Sequence, residues 1–307
     1  MNSFIFNFKK FLIIITMIVV IEIFLRNFSN FLSKDIVHYN TFKHTIDVIE
    51  SNYSDNYLFL GNSLTRAALN KNLIKNFFDS GAAVGFIYPD DSNIALWYYI
   101  LKLKFDSLNF LPKNIIIIFA KTQLQSEKIN SKVLRQLAEI CSLKDIKFII
   151  KNEDLNFSNS MKLLTYKFSY SARYGQRISK RILVNLPYYK KTIRRLNNLS
   201  NKENNLNSNV QMSNYHHLDS LIELASKHNS NLTFISVYCG GTYNINKKDL
   251  DSIFEKKNIK LLDLRDDTNF NKNDLSDGYH LNQIGANKFS NIFLQYYKKS
   301  EWNKGKH

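Results

Sequence analysis

Two short blocks hold residue types that can do acyl chemistry. In Leu60-Gly61-Asn62-Ser63-Leu64-Thr65, a serine follows an apolar run at the point where a strand gives way to a helix. A serine at the carboxyl end of a parallel strand faces the crevice where α/β folds bind ligands. There the N–H groups of a helix start are offered to a developing oxyanion. Capping the helix is the other use for Asn or Ser at such a boundary. The second block is Asp277-Gly278-Tyr279-His280-Leu281-Asn282-Gln283-Ile284-Gly285-Ala286. Asp277 is close enough to His280 in a turn for its carboxylate to orient the ring. The far ring nitrogen is then free to take a proton from a serine hydroxyl, the logic of a catalytic triad. Gly285 lets the chain bend as the last helix begins. An ordinary polar turn is the alternative reading of this block.

Other reactive types are weaker candidates. Cys239 follows an apolar run in Cys239-Gly240-Gly241, but no histidine is marked as its partner, and a small buried residue is expected. His216-His217-x-Asp219 suggests metal at first sight. Adjacent histidines point to different helix faces, however, so a solvated helix start is expected. Turn or capping roles suffice for Asp263, Asp266 and Asp267. No cofactor and no metal are expected.

The elements that must position the two blocks read as alternating strands and helices. Tyr57–Leu60, Ile115–Phe119, Phe148–Ile150, Leu232–Tyr238 and Ile259–Leu264 are short runs rich in β-branched or aromatic residues, the pattern of buried strands. Leu64–Phe78, Ile94–Lys104, His217–His228 and Gln283–Tyr297 have helical spacing. Such alternation predicts an α/β fold with a mainly parallel sheet. Met161–Ser200 departs from the pattern: it holds no acidic residue, many lysines and arginines, and interleaved tyrosines. Asn197–Asn214 is an Asn/Ser-rich stretch with the composition of a flexible loop. Residues 155–214 therefore read as a basic, Tyr-rich insertion. Arg173, Arg177 and Arg181 are candidates to line a groove for an acidic polymer, and a solvated helical surface is the alternative.

At the N-terminus, Phe11–Leu25 is apolar except for Thr16 and Glu22, and Lys9 and Lys10 precede it. At ~1.5 Å per residue this run covers about 22 Å, and continuing it through Leu32 reaches the ~30 Å of a hydrocarbon core. Glu22 and Arg26 face one another on a helix and can pair near an interface. A cleaved signal peptide and a buried core helix are the rivals, and no small-x-small cleavage site lies between Leu25 and Ser33. Residues 1–32 are thus expected to be a single transmembrane anchor. The two lysines favour a cytoplasmic N-terminus, with the body of the protein outside.

Composition bounds the rest. With 307 residues and 44% hydrophobic side chains, the chain can bury a sizeable core. Two cysteines exclude a disulfide scaffold. The net charge of +16 favours polyanionic neighbours such as an acidic glycan or an anionic lipid surface. No recognition motif for nucleic acid is present, so nucleic acid is not an expected partner.

Gly61-Asn62-Ser63-Leu64-Thr65 after the first strand, with Asp277-x-x-His280-Leu281-Asn282-x-x-Gly285 before the last helix, resembles the SGNH (GDSL-like) hydrolase superfamily. The anchor is similar to that of its membrane-bound branch, which includes proteins of acyl transfer in bacterial envelope-polymer synthesis. The resemblance covers roughly Asn56 to Tyr297, apart from the basic insertion. It implies a three-layer α/β/α domain with a five-stranded, mainly parallel sheet at about 53–300. It also implies Ser63 as nucleophile, His280 as general base and Asp277 as the orienting carboxylate. The family's oxyanion donors are the nucleophile's own N–H, a glycine after the second strand and an asparagine after the third. Here the glycine is Gly81 or Gly85, Gly81 ranking first. Ala120-Lys121-Thr122-Gln123 replaces the family's Gly-x-Asn-Asp, leaving Gln123 or Thr122 as donor. The implied partners are the lipid bilayer, an acylated glycan or envelope polymer, and a membrane-bound acyl donor.

Overall fold

The computed structural model describes residues 2–28, 34–51, 55–78, 81–120, 122–126, 129–184, 188, 215–239, 247–257, 259–265 and 268–304. In chain order the main elements are α1 (Asn2–Asn27), α2 (Lys34–Glu50), β1 (Asn56–Leu60), α3 (Ser63–Ala68), α4 (Lys71–Phe78), β2 (Ala83–Ile87), α5 (Ile94–Ile100) and β3 (Asn114–Phe119). There follow α6 (Ser131–Ile140), α7 (Leu143–Asn152), α8 (Phe157–Phe168), α9 (Tyr170–Val184), α10 (His216–Lys227), β4 (Asn231–Ser236), α11 (Lys247–Lys256), β5 (Lys260–Asp263) and α12 (Gln283–Lys304). They form two compact units, Met1–Val37 with Ile129–Ser213, and His38–Lys128 with Asn214–His307.

The second unit is α/β, with a five-stranded sheet in the order β2-β1-β3-β4-β5 whose pairings are all parallel. The order reverses beside β1, so the loops after β1 and β3 diverge and leave the crevice that this topology offers to ligands. Strand side chains alternate between the faces. Phe59 meets Phe293 of α12 at 5.6 Å between ring centroids, and Tyr57 meets Phe78 of α4 at 4.1 Å. On the other face Phe234 meets Phe254 of α11 at 4.8 Å. A Cβ built at Gly85 would lie 2.4 Å from Ile49 Cδ1 and 2.8 Å from Thr45 Cγ2, so the bare backbone of β2 makes room for α2 on that same face.

One expectation about strands needs correction. Phe148–Ile150 is helical and lies in α7. Its apolar residues belong to a 3.6-residue pattern that buries Ile146 and Ile149, and Ser142 with Asp145 forms a capping box at its start. The fifth strand is instead β2, whose Ala-Val-Gly-Phe-Ile run is weakened as a sequence signal by the glycine.

In the first unit the turn between α8 and α9 is tied to α1. The Glu22 carboxylate accepts hydrogen bonds from Ser169 Oγ (2.6 Å), Tyr170 N (2.8 Å) and Ser171 N (3.1 Å), thereby capping α9. Arg26 Nη2 donates to the Phe168 carbonyl at 2.8 Å. The Glu22–Arg26 pairing expected from spacing thus gives way to separate partners in this turn. No helix among the described residues is long and apolar enough to cross a membrane. Lys10, Glu22 and Arg26 interrupt α1, and residues 29–33, needed to lengthen the run, lie outside the described residues. The expected transmembrane helix is therefore not supported by the structure. Residues 155–184 share this unit with α1, α6 and α7, and most of 185–214 lies outside the described residues.

Candidate active site

The turn that presents Ser63 is built by its neighbours. Gly61 ends the chain's run along β1, its N–H donating to the Ile87 carbonyl at 3.1 Å. A Cβ at Gly61 would sit 1.8 Å from Thr65 Oγ1 and 2.7 Å from the Ile118 carbonyl, so only glycine permits this approach. Asn62 caps α3: its Oδ1 accepts from Leu64 N at 2.9 Å, and Thr65 Oγ1 accepts from Asn62 N at 3.1 Å. Thr65 in turn donates to the Ile118 carbonyl at 3.0 Å, fastening α3 to β3. With capping assigned to Asn62, Ser63 is left half-buried as the first helical residue.

The histidine comes from the turn before α12. Asp277 Oδ1 accepts the backbone N–H groups of Tyr279 (3.0 Å) and His280 (2.7 Å). Its Oδ2 accepts from His280 Nδ1 at 2.8 Å. The backbone bond from His280, and then the ring bond, hold the Asp277 carboxyl at a pKa of about 2, below its ordinary value. Behind this turn, Asn282 Oδ1 accepts from Ile284 N and Gly285 N, both at 3.0 Å, and caps α12. The Asn282 N–H donates to the Asp274 carbonyl at 2.8 Å, and Lys288 pairs with the buried Asp274 carboxylate at 2.9 Å.

These two scaffolds bring Ser63 Oγ within 3.1 Å of His280 Nε2. With Nδ1–H donated to the carboxylate, Nε2 offers its lone pair to the serine hydroxyl. The relay Ser63–His280–Asp277 thus has the connectivity that deprotonates a serine for nucleophilic attack. Asp277 differs from a deeply buried orienting acid: its side chain is 56% exposed, against 30% for the histidine.

The loop after β2 joins this cluster and was not singled out from sequence. Asn62 Nδ2 donates to the Ser92 carbonyl at 3.3 Å. Ser92 Oγ lies 2.8 Å from the Gly61 carbonyl, and the Trp97 indole N–H reaches both that carbonyl (3.0 Å) and Ser92 Oγ (2.8 Å). Asp91 sits in the left-handed region at φ 59°, turning the chain out of β2. Arg66 of α3 pairs with Asp90 at 2.6 Å. Burial pushes the Tyr279 phenol up, and the nearby Cys239 and Asp91 add to this. Because β2 itself was not recognised as a strand, nothing in the sequence pattern marked Tyr88–Asn93 as a loop at the head of the sheet.

The expected oxyanion donors fare unevenly. Gly81 precedes β2 and so lies at the amino end of the sheet, away from Ser63. Gly85 is inside β2, paired with Leu58 and packed under α2. Neither is brought to Ser63, and the loop after β2, Tyr88–Asn93, contains no glycine. Gln123 does join the loop cluster: its carbonyl accepts from Ile94 N at 2.9 Å, while its side-chain Oε1 accepts from Ala120 N at 2.8 Å. Thr122 is half-buried in the same turn.

Most of the remaining candidates that the structure describes have partners within the fold. Arg173 is buried and bonded to Glu139 (2.9 Å) and to the carbonyls of Tyr166 (2.5 Å) and Lys167 (2.7 Å), so it ties α9 to α6 and α8 and is not offered to a polymer. Arg177 is exposed, and the Arg181 side chain lies outside the described residues. Cys239 is buried in the core. His217 is buried beside Tyr98 and Tyr99, while His216 is exposed, so the start of α10 is only half solvated. Asp263 accepts from Ser236 Oγ (2.5 Å) and Arg265 Nε (2.8 Å), joining β4 to β5. Asp266 and Asp267 lie outside the described residues.

Fold and site together define a parallel α/β unit carrying a serine–histidine–aspartate relay at the carboxyl end of its sheet. No protein-family model matches the chain, and no curated protein matches its sequence.

Proposed function

We propose that the chain is a serine esterase or O-acyltransferase of SGNH type, acting on an acylated cell-envelope glycan or polymer. The observation that carries this reading is the 3.1 Å contact between Ser63 Oγ and His280 Nε2, with Asp277 on the other ring nitrogen. Helices against both faces of the parallel sheet support the three-layer form of that fold. In the reaction, Ser63 attacks the acyl carbon as its proton passes to His280. The tetrahedral intermediate collapses, and His280 returns the proton to the leaving alkoxide. Water or a sugar hydroxyl, deprotonated by the same histidine, then releases the acyl group. No metal or cofactor enters this scheme.

The membrane part of the reading is supported by the exposed apolar side chains from Phe11 to Ile21, which follow Lys9 and Lys10. In this reading α1 anchors the protein with its N-terminus cytoplasmic and the α/β unit outside, where envelope polymers are made. A membrane-bound acyl donor is the matching partner. The exposed Asp277 favours a second reading, a catalytically weak module that binds envelope polysaccharide, because a solvated carboxylate orients its histidine less firmly. Covalent labelling of Ser63 by a fluorophosphonate probe separates the two. Labelling lost in Ser63→Ala and in His280→Ala supports the enzyme, whereas an unlabelled wild-type protein supports the binding module.

A further inference from the structure

We infer that α8 is a second membrane-contacting element, lying in the interface of an anionic bilayer beside α1. The inference rests on the membrane reading of α1. Phe157, Met161, Leu164 and Phe168 recur at i, i+4, i+7 and i+11, which places them on one narrow stripe of α8. Phe157 is 82% exposed, Met161 46% and Phe168 57%, whereas Leu163 on the opposite side is fully buried. The packed face of α8 is thus already satisfied, and the apolar stripe is a separate surface.

The occupant follows from what the stripe adjoins. Arg26 of α1 donates to the Phe168 carbonyl, and Glu22 holds the first residues of α9, so the carboxyl end of α8 is fastened to α1. Between Phe11 and Ile21 every side chain of α1 is exposed, on all sides of the helix. A protein groove covers one stripe of a helix, but apolar residues all round it require an apolar solvent. That uninterrupted stretch covers about 16 Å at ~1.5 Å per residue, roughly half of a ~30 Å hydrocarbon core. A membrane that receives α1 therefore reaches the turn at Phe168–Ser171, where α8 presents its own apolar stripe. Exposed Arg177, two turns along α9, and the net charge of +16 match anionic headgroups.

The test uses the full chain in vesicles of phosphatidylcholine with a minority of phosphatidylglycerol. An environment-sensitive fluorophore is attached at Met161→Cys, Lys162→Cys or Ile18→Cys, with buried Cys141 and Cys239 left in place. Lipids spin-labelled near the headgroup and deeper in the chain then quench it. The inference expects shallow quenching at 161 several-fold greater than at 162, together with deep quenching at 18. Quenching at 18 alone overturns the role of α8 and leaves the anchor standing. Quenching at neither 18 nor 161 overturns both.

Discussion

Trp97 and Ser92 close on one carbonyl oxygen, that of Gly61, with the indole N–H at 3.0 Å and the hydroxyl at 2.8 Å. Ser63 follows two residues later, so this buried pair fixes the direction in which the chain leaves β1. If the proposed activity holds, Trp97→Phe and Ser92→Ala are expected to lower kcat on a small ester about tenfold with little change in KM, as Ser63 loses its alignment. A loss confined to thermal stability would reduce the pair to a packing role.

Removing the serine hydroxyl or the imidazole is more severe. Ser63→Ala and His280→Ala should each lower ester hydrolysis by ~10³-fold or more while the circular dichroism spectrum is kept. Asp277→Asn should cost less, about 10–10²-fold, since its carboxylate is 56% exposed and water shares the orienting role that a buried acid holds alone. Steady-state rates of the three variants on one substrate check this ranking.

Gly61→Ala should destabilise the fold by about 2–3 kcal/mol, the scale of an overpacked site. The added methyl meets Thr65 Oγ1 at 1.8 Å and the Ile118 carbonyl at 2.7 Å, and the second of these is backbone that cannot rotate away. The urea midpoint measures the effect, and relief by Thr65→Ala should be only partial.

Acid should weaken the α/β unit through Asp106. Burial pushes this carboxyl up, but hydrogen bonds from Lys102 (2.6 Å), His228 (2.6 Å) and Lys227 (3.0 Å) outweigh it and hold the pKa well below the ordinary carboxylate range. A depressed pKa contributes stability above the unfolded value, near ~3.9, and loses it as pH falls through the folded value. Asp106→Asn is expected to cost about 2 kcal/mol at neutral pH. The gap between variant and wild type should narrow below about pH 4, as urea denaturation at a series of pH values will show.

What the sequence determined by itself is local. Apolar runs marked β1, β3, β4 and β5, and β1 and β3 are buried over almost their whole length, as strands covered on both faces are. Asp277 and His280 could be paired from their spacing, since one turn spans the distance between them. What only the tertiary structure decided depends on partners far along the chain. Gly85 reads as a weakness in a strand until α2 is packed on it, so β2 and the Tyr88–Asn93 loop were missed. Arg173 reads as a solvated cation until Glu139 and two carbonyls enclose it. The 3.1 Å between Ser63 and His280 arises in the same way: 217 residues separate them, and only the shared packing of α3 and α12 against the sheet makes them neighbours.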